Sequence, residues 1–382
     1  MKKTVFILAV IFLTAAGCAS SSQTFYNPSP SVQKNASGTP VVNNNCPPGF
    51  IEVPGNALYH TTDFCVMKYD AKVALLANPT VGLQPSSSDP CAGTDGYHTN
   101  GTYKNSGPGC AATVQNGKEI ISSPSGYPVT YIPETGNGGD NAKTYCQQKG
   151  WHLLTNDEWM TVARNVEQVA ANWCSPDGTG CGATPGAFGK ILANGHSHTW
   201  PDAALTASAN DALACFGTVT DGSGACGGLN SQKRTLTLSN GQVIWDFAGN
   251  VWQWVDGSVL RKDEPKSKTN GKLDAGWLSS EFAAGPAASG VLPSVIIDNG
   301  QGQSLGYDSF RPSNPAWNSS NGVGRIFHYS AAWDSNTTVY GFIRGGQYNH
   351  GAVDGAFSMH LTPVPNKTNI NDTGFRCTAS PQ

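Results

Sequence analysis

Charge is what this chain has least of. Of its 382 residues only 13% are Asp, Glu, Lys or Arg, roughly half the usual ~25%, and the formal net charge is -3. A charge-poor, acidic chain is a poor match for phosphate backbones, so nucleic acid is not an expected partner. Long hydrophobic runs are missing too: the apolar stretch Val5 to Leu13 is too short to span a bilayer. The chain has no C-x-x-C pair, no G-x-S-x-G, no H-E-x-x-H and no phosphate loop, so the common thiol, zinc, serine-hydrolase and nucleotide chemistries have no signature here. No repeat of solenoid or propeller period is present. What remains is a surface built from Asn, Ser, Thr and Gly around a core supplied by 38% hydrophobic residues and ten Trp, a composition suited to recognition by hydrogen bonds.

The first residues read as an address. Lys2 and Lys3, the apolar stretch, and Ala15-Ala16-Gly17 before Cys18 form a secretory signal. Small residues directly before a cysteine resemble a bacterial lipobox, although Ala15 stands where Leu, Val or Ile is usual. The expectation is a signal peptide over 1–17 and a lipidated Cys18 that ties the chain to a membrane at the cell envelope, at the outer membrane or cell surface because Ala19 follows in place of Asp. An ordinary signal peptide is the alternative. Residues 18–45, rich in Ser, Asn, Pro and Thr with Lys34 as the sole charge, are expected to form a flexible tether. A folded domain is expected over 46–382.

Without Cys18 ten cysteines remain, an even set that fits disulfides in an oxidising compartment. Cys174 with Cys181 and Cys215 with Cys226 bracket short loops, and Cys91 with Cys110 would close the loop-like stretch Ala77 to Gly126. A turn followed by a short strand is expected within Cys46 to Gly55, and a second strand at Phe64–Tyr69. A helix from Asp140 to Lys149 ends at Gly150, and a second is opened by the capping box Thr155-Asn156-Asp157-Glu158. Two short helices among strands and loops indicate an α+β domain. In Trp245 to Asp256, Trp252 and Trp254 share one strand face, which reads as sheet packing. His196-Ser197-His198 places two histidines at alternate positions, but with no third ligand nearby it reads as a surface loop.

Four pieces in order, Gly49 to Gly55, Asn141 to Arg164, Trp245 to Asp256 and Arg344 to Cys377, resemble the successive motifs of the sulfatase-modifying, formylglycine-generating enzyme family. Gly150-Trp151-His152-Leu153-Leu154-Thr155-Asn156-Asp157-Glu158-Trp159 is similar to G-x-R-L-P-T-E-A-E-W, and Gly249-Asn250-Val251-Trp252-Gln253-Trp254 to G-N-V-W-E-W. The resemblance implies a C-type-lectin-like fold of the formylglycine-generating subtype with long loop insertions. It also implies a disulfide between Cys146 and Cys377. A structural calcium site is implied at Asp246, Gly249, Val251 and Gln253, weakened because Gln253 replaces a carboxylate. The two copper-binding cysteines of the oxidases fall on His350 and Gly355 here. Formylglycine generation is therefore not expected, and no cofactor is required.

The segment from Arg344-Gly345-Gly346 to Gly374-Phe375-Arg376-Cys377 also resembles the variable region of lipoproteins diversified by retroelements. The expected ligand-binding residues are Tyr340, Gln347, Tyr348, Asn349, His350, Val353, Asp354, Ser358, His360, Thr362 and Val364, a mixture of aromatic and adaptable polar groups like that of antibody paratopes. The partner would be an external protein or glycan. A divergent enzyme of the same family and a structural envelope lipoprotein are the alternatives.

Overall fold

The computed structural model describes residues 45–94, 99–175, 180–197, 202–211, 233–264, 268–269, 272–273, 277–282, 295–297, 304–329 and 337–382. Cys18, the signal and tether up to residue 44, His198, Cys215 and Cys226 lie outside these residues.

The architecture is α+β, with two larger sheets and two α-helices among the described residues. The six-stranded sheet runs in the order Trp277–Ser280, Ile326–Tyr329, Met359–His360, Val339–Arg344, Trp252–Leu260, Thr373–Phe375. The four-stranded sheet runs Phe50–Val53, Phe64–Met67, Cys377–Ala379, His152–Leu153. Trp252–Leu260 is the hub of the larger sheet. It pairs antiparallel with Val339–Arg344, with a register shift between Val255 and Ser258, and parallel with Thr373–Phe375. Trp252 and Trp254 are buried on one face as the alternation predicts, and the Trp254 indole N–H donates to the Ile132 carbonyl at 2.9 Å. Gln253, facing the other way, is buried as well. A strand covered on both faces needs a partner for any polar side chain it carries, and Gln253 has two, described below.

Helix α1 (Ala142–Gln148) buries Ala142, Tyr145 and Cys146, and helix α2 (Asn156–Glu167) begins at the expected capping box. Glu158 N–H donates to Thr155 Oγ1 at 3.2 Å, while Thr155 N–H donates to Glu158 Oε2 at 2.9 Å. Of the α2 residues turned inward, Trp159 reaches furthest. Its ring stacks on Phe247 at 4.0 Å, and its N–H donates to the Ala356 carbonyl at 2.8 Å. The helix is thereby pinned to the C-terminal segment.

Among the described residues, four disulfides join Cys46 to Cys65, Cys91 to Cys110, Cys146 to Cys377 and Cys174 to Cys181. The third closes 231 residues and bolts α1 to the last strand; a loop of that length is worth on the order of 5 kcal/mol in the chain-entropy account. Ala77 to Gly126 is not the loop the sequence suggests. It holds strands Asn78–Gly82, Ala92–Thr94, Thr99–Lys104 and Lys118–Ser122. The last pairs with Ala71–Leu75, setting Val73 opposite Ile120. Pairing between residues far apart gives strand structure to stretches whose local sequence lacks alternation.

Candidate functional site

The C-terminal segment leaves the sheet at Arg344, whose side chain is fully buried. The guanidinium donates to Asn156 Oδ1, to the Ser309 carbonyl at 3.1 Å and to the Phe357 carbonyl at 3.3 Å. Burial among neutral acceptors lowers its pKa to about 9. The next residues turn sharply. Gly346 has φ +94°, and a Cβ there would sit 2.1 Å from Asp354 Cγ, so this position needs glycine for both conformation and space.

Asp354 is the inner post of the segment. It has no exposure, and Oδ2 accepts from the Gln347 backbone N–H at 2.8 Å. Oδ1 faces His350 Nδ1 at 3.5 Å. Burial raises its pKa to about 6, against the opposing pull of His350. The Gln347 amide donates to His350 Nε2 at 2.6 Å, which leaves the proton of neutral His350 on Nδ1, toward Asp354. Burial works against charge on His350, but Asp354 outweighs it and the net pKa is raised. His360 shares the wall. Both rings lie within 5.3–5.8 Å of Trp252 and Phe327. Burial and the nearby His350 lower His360 to about 3, and its Nε2 is hydrogen-bonded to the Thr362 hydroxyl at 2.6 Å.

The eleven expected binding residues divide by direction. Gln347, Tyr348, Asp354 and Ser358 are buried. Tyr348 packs with Ala204 and Val251, and Ser358 Oγ donates to the Val353 carbonyl at 3.0 Å. These four are frame. Tyr340, Asn349, His350, Val353, His360, Thr362 and Val364 are partly exposed and form the outer rim. Asn349 donates to Asp202 Oδ1 at 2.8 Å, and the Tyr340 hydroxyl accepts from Arg261 at 3.1 Å. Ala352, Asn366, Lys367 and Asn369 are exposed in the same segment. The sequence reading omitted them, although the polar run after Pro365 is itself a surface signal.

His196-Ser197 is not a surface loop. Both described residues are buried, and His196 Nε2 is hydrogen-bonded to the Ala203 carbonyl at 2.8 Å. The Ser197 carbonyl accepts from Gly351 N–H at 2.5 Å and the His196 carbonyl from Asn250 N–H at 2.6 Å. The stretch is therefore a floor beneath the segment. No group of three or more His, Cys, Asp or Glu among the described residues is arranged to hold a metal ion.

Three of the four expected calcium ligands, Asp246, Gly249 and Gln253, already have hydrogen-bond partners. Both Asp246 oxygens accept from Arg234 at 2.7 Å. Gln253 Oε1 accepts from Arg376 at 2.7 Å, its amide donates to the Asp246 carbonyl, and the Gly249 carbonyl accepts from Val251 N–H at 3.0 Å. These donors do not fit a calcium ion, which needs six to eight free oxygens. Among the described residues all eight cysteines are disulfide-bonded, so none of them offers a free thiol. A Cβ at Gly355 would lie 2.5 Å from the Gly322 carbonyl oxygen, so no thiol side chain fits there without moving backbone.

A cleft of about 360 Å³ lies elsewhere, lined by residues including His60, Asp63, His152 and Glu158. His152 replaces the arginine of the family motif and meets Glu158 at 2.8 Å. Glu158 closes the capping box and accepts from Thr378, so the pair serves the helix start and the last strand.

The described residues contain no helix long and apolar enough to cross a membrane. No curated protein matches the chain. Residues 85–381 match the sulfatase-modifying factor enzyme 1-like domain. Together with the mixed sheets, the two short helices and the Cys146–Cys377 bond, that match makes the chain a member of the sulfatase-modifying factor enzyme 1-like family, with its C-type-lectin-like fold.

Proposed function

We propose that this domain is a recognition module, held at the bacterial cell envelope by a lipid on Cys18 and capturing an external protein or glycan through the rim of its C-terminal segment. The observation that carries the reading is the division of that segment into a bonded frame and an outward set of mixed polar and aromatic side chains. A frame fixed by Arg344, Asp354 and Ser358 lets the rim bind without ordering a loop first, which lowers the entropic cost of association. The rim is nearly neutral, which favours hydrogen-bonding partners over highly charged ones. Catalysis is not part of the reading, since neither thiol position carries a cysteine.

The same division suits a segment whose rim codons are diversified by a retroelement while the frame stays constant. A near-identical template repeat beside the coding sequence, differing at adenines of rim codons, supports that extension; mismatches spread evenly over frame and rim remove it. The binding reading is tested by presenting the chain to a glycan array and to intact bacterial and host cells. A variant carrying Asn349→Ala, Thr362→Ala and Val364→Ala is expected to lose capture by about ten-fold or more, the scale of interface hot spots. Capture unaffected by that variant, or conversion of a cysteine peptide to its aldehyde by copper-treated protein, overturns it.

A further inference from the structure

We infer that the cation at the centre of this domain is the protein's own. Two guanidinium groups, from Arg234 and Arg376, hold the side-chain oxygens of Asp246 and Gln253, two of the four residues that the family resemblance assigns to calcium, so this site holds its shape without a divalent metal.

The geometry is that of charge-assisted, forked hydrogen bonds. Arg234 grips Asp246 with Nε on Oδ1 and Nη2 on Oδ2, both at 2.7 Å. Its remaining N–H groups reach the Thr206 carbonyl at 2.7 Å and the Leu205 carbonyl at 3.3 Å. Arg376, with no exposed surface, donates to Gln253 Oε1 at 2.7 Å, to the Met67 carbonyl at 3.0 Å, to Asp70 Oδ1 at 2.6 Å and to the Trp245 carbonyl. The second oxygen of Asp70 accepts from Asn250 at 3.1 Å. These carboxylates, amide oxygen and carbonyls form the kind of donor set calcium prefers, yet each is met by an N–H.

Charge points the same way. Asp70 and Asp246 supply two negative charges, and Arg234 and Arg376 cancel them. Lys72 adds a third basic group: its side chain is fully buried, its Nζ makes no hydrogen bond, and burial lowers its pKa to about 8 against the field of both carboxylates. A divalent cation would have to displace a guanidinium and enter an environment that is already positive. The replacement of the family's carboxylate by Gln253 fits this arrangement, because a neutral amide can accept from Arg376 and donate to the Asp246 carbonyl at once.

The test is thermal unfolding of the full chain in EDTA and in millimolar calcium chloride, with a calorimetric calcium titration beside it. The expected result is a Tm that differs by less than about 1 °C and no saturable heat. Saturable binding with a Tm rise of about 4 °C or more, reversed by EDTA, overturns the inference. The variant Arg234→Lys keeps the charge and loses the fork. It is expected to stay calcium-insensitive while its Tm in EDTA falls by about 4 °C or more; an unchanged Tm also overturns the inference, since the fork would then not be the group holding Asp246.

Discussion

Asp246 and Asp354 are both buried carboxylates, and the chain treats them differently. Asp246 is gripped at both oxygens by Arg234 beneath the sheet hub. Asp354, inside the C-terminal segment, has one backbone N–H and a histidine 3.5 Å away. The first is met by a guanidinium fork that matches both of its oxygens. The second is left near its titration range, with burial raising its pKa to about 6. Asp246 is thus locked by a two-point fork, and Asp354, in the C-terminal segment, is held by groups that respond to their surroundings.

Breaking the locked side should have the largest effect. Arg376→Met leaves Asp70, Gln253 and two carbonyls without their donor, and the loss of one partner of a buried pair costs about 3–5 kcal/mol; urea unfolding measures it. The double variant Cys146→Ser/Cys377→Ser should follow at about 2–4 kcal/mol, the usual measured range and below the ~5 kcal/mol of the chain-entropy account, with the segment becoming protease-sensitive before the rest of the domain. A loss of stability without earlier cleavage in the segment would show that the disulfide does not specifically brace it.

The titratable side predicts a smaller effect with a definite sign. Burial raises Asp354 to about 6 and Glu134, beside Lys143, to about 7. A carboxyl whose folded pKa lies above its unfolded one binds more proton when folded. Its contribution to stability is therefore present below the unfolded value and lost as pH rises through the folded one. Tm should fall between about pH 4 and pH 7 from these groups, and Asp354→Asn with Glu134→Gln should flatten that slope. A slope unchanged in the double variant would place its origin elsewhere. The smallest effect belongs to the rim: Val364→Ala, at a partly exposed position, should change stability by about 0.5 kcal/mol or less, read from the same unfolding curves.

How much of this was legible in the sequence follows from the range of the interactions. The α2 capping box and the Trp252/Trp254 face are local patterns and could be read directly. The Cys146–Cys377 bond came from the family resemblance. Residue type did not tell rim from frame, because Tyr348 and Asp354 are polar enough to suggest a surface, yet each is buried by partners that folding brings to it. Asp354 sits under Gly346, and Tyr348 lies on Val251 and Ala204. His196 misled for the same reason, since only the fold reveals that its carbonyl and that of Ser197 support Asn250 and Gly351. The Arg234 and Arg376 forks were equally hidden: Arg234 is twelve residues from Asp246, and Arg376 is 306 from Asp70.

The central claim is that a fixed frame carries a replaceable rim. Its most direct test is a scan of all substitutions from 340 to 372, read as protease resistance of the displayed chain. The account predicts that Asn349, Val353, Thr362 and Val364 accept nearly any residue, while Arg344, Gly346, Tyr348, Asp354 and Ser358 accept few. Rim positions as intolerant as the frame, or frame positions as tolerant as the rim, would contradict it.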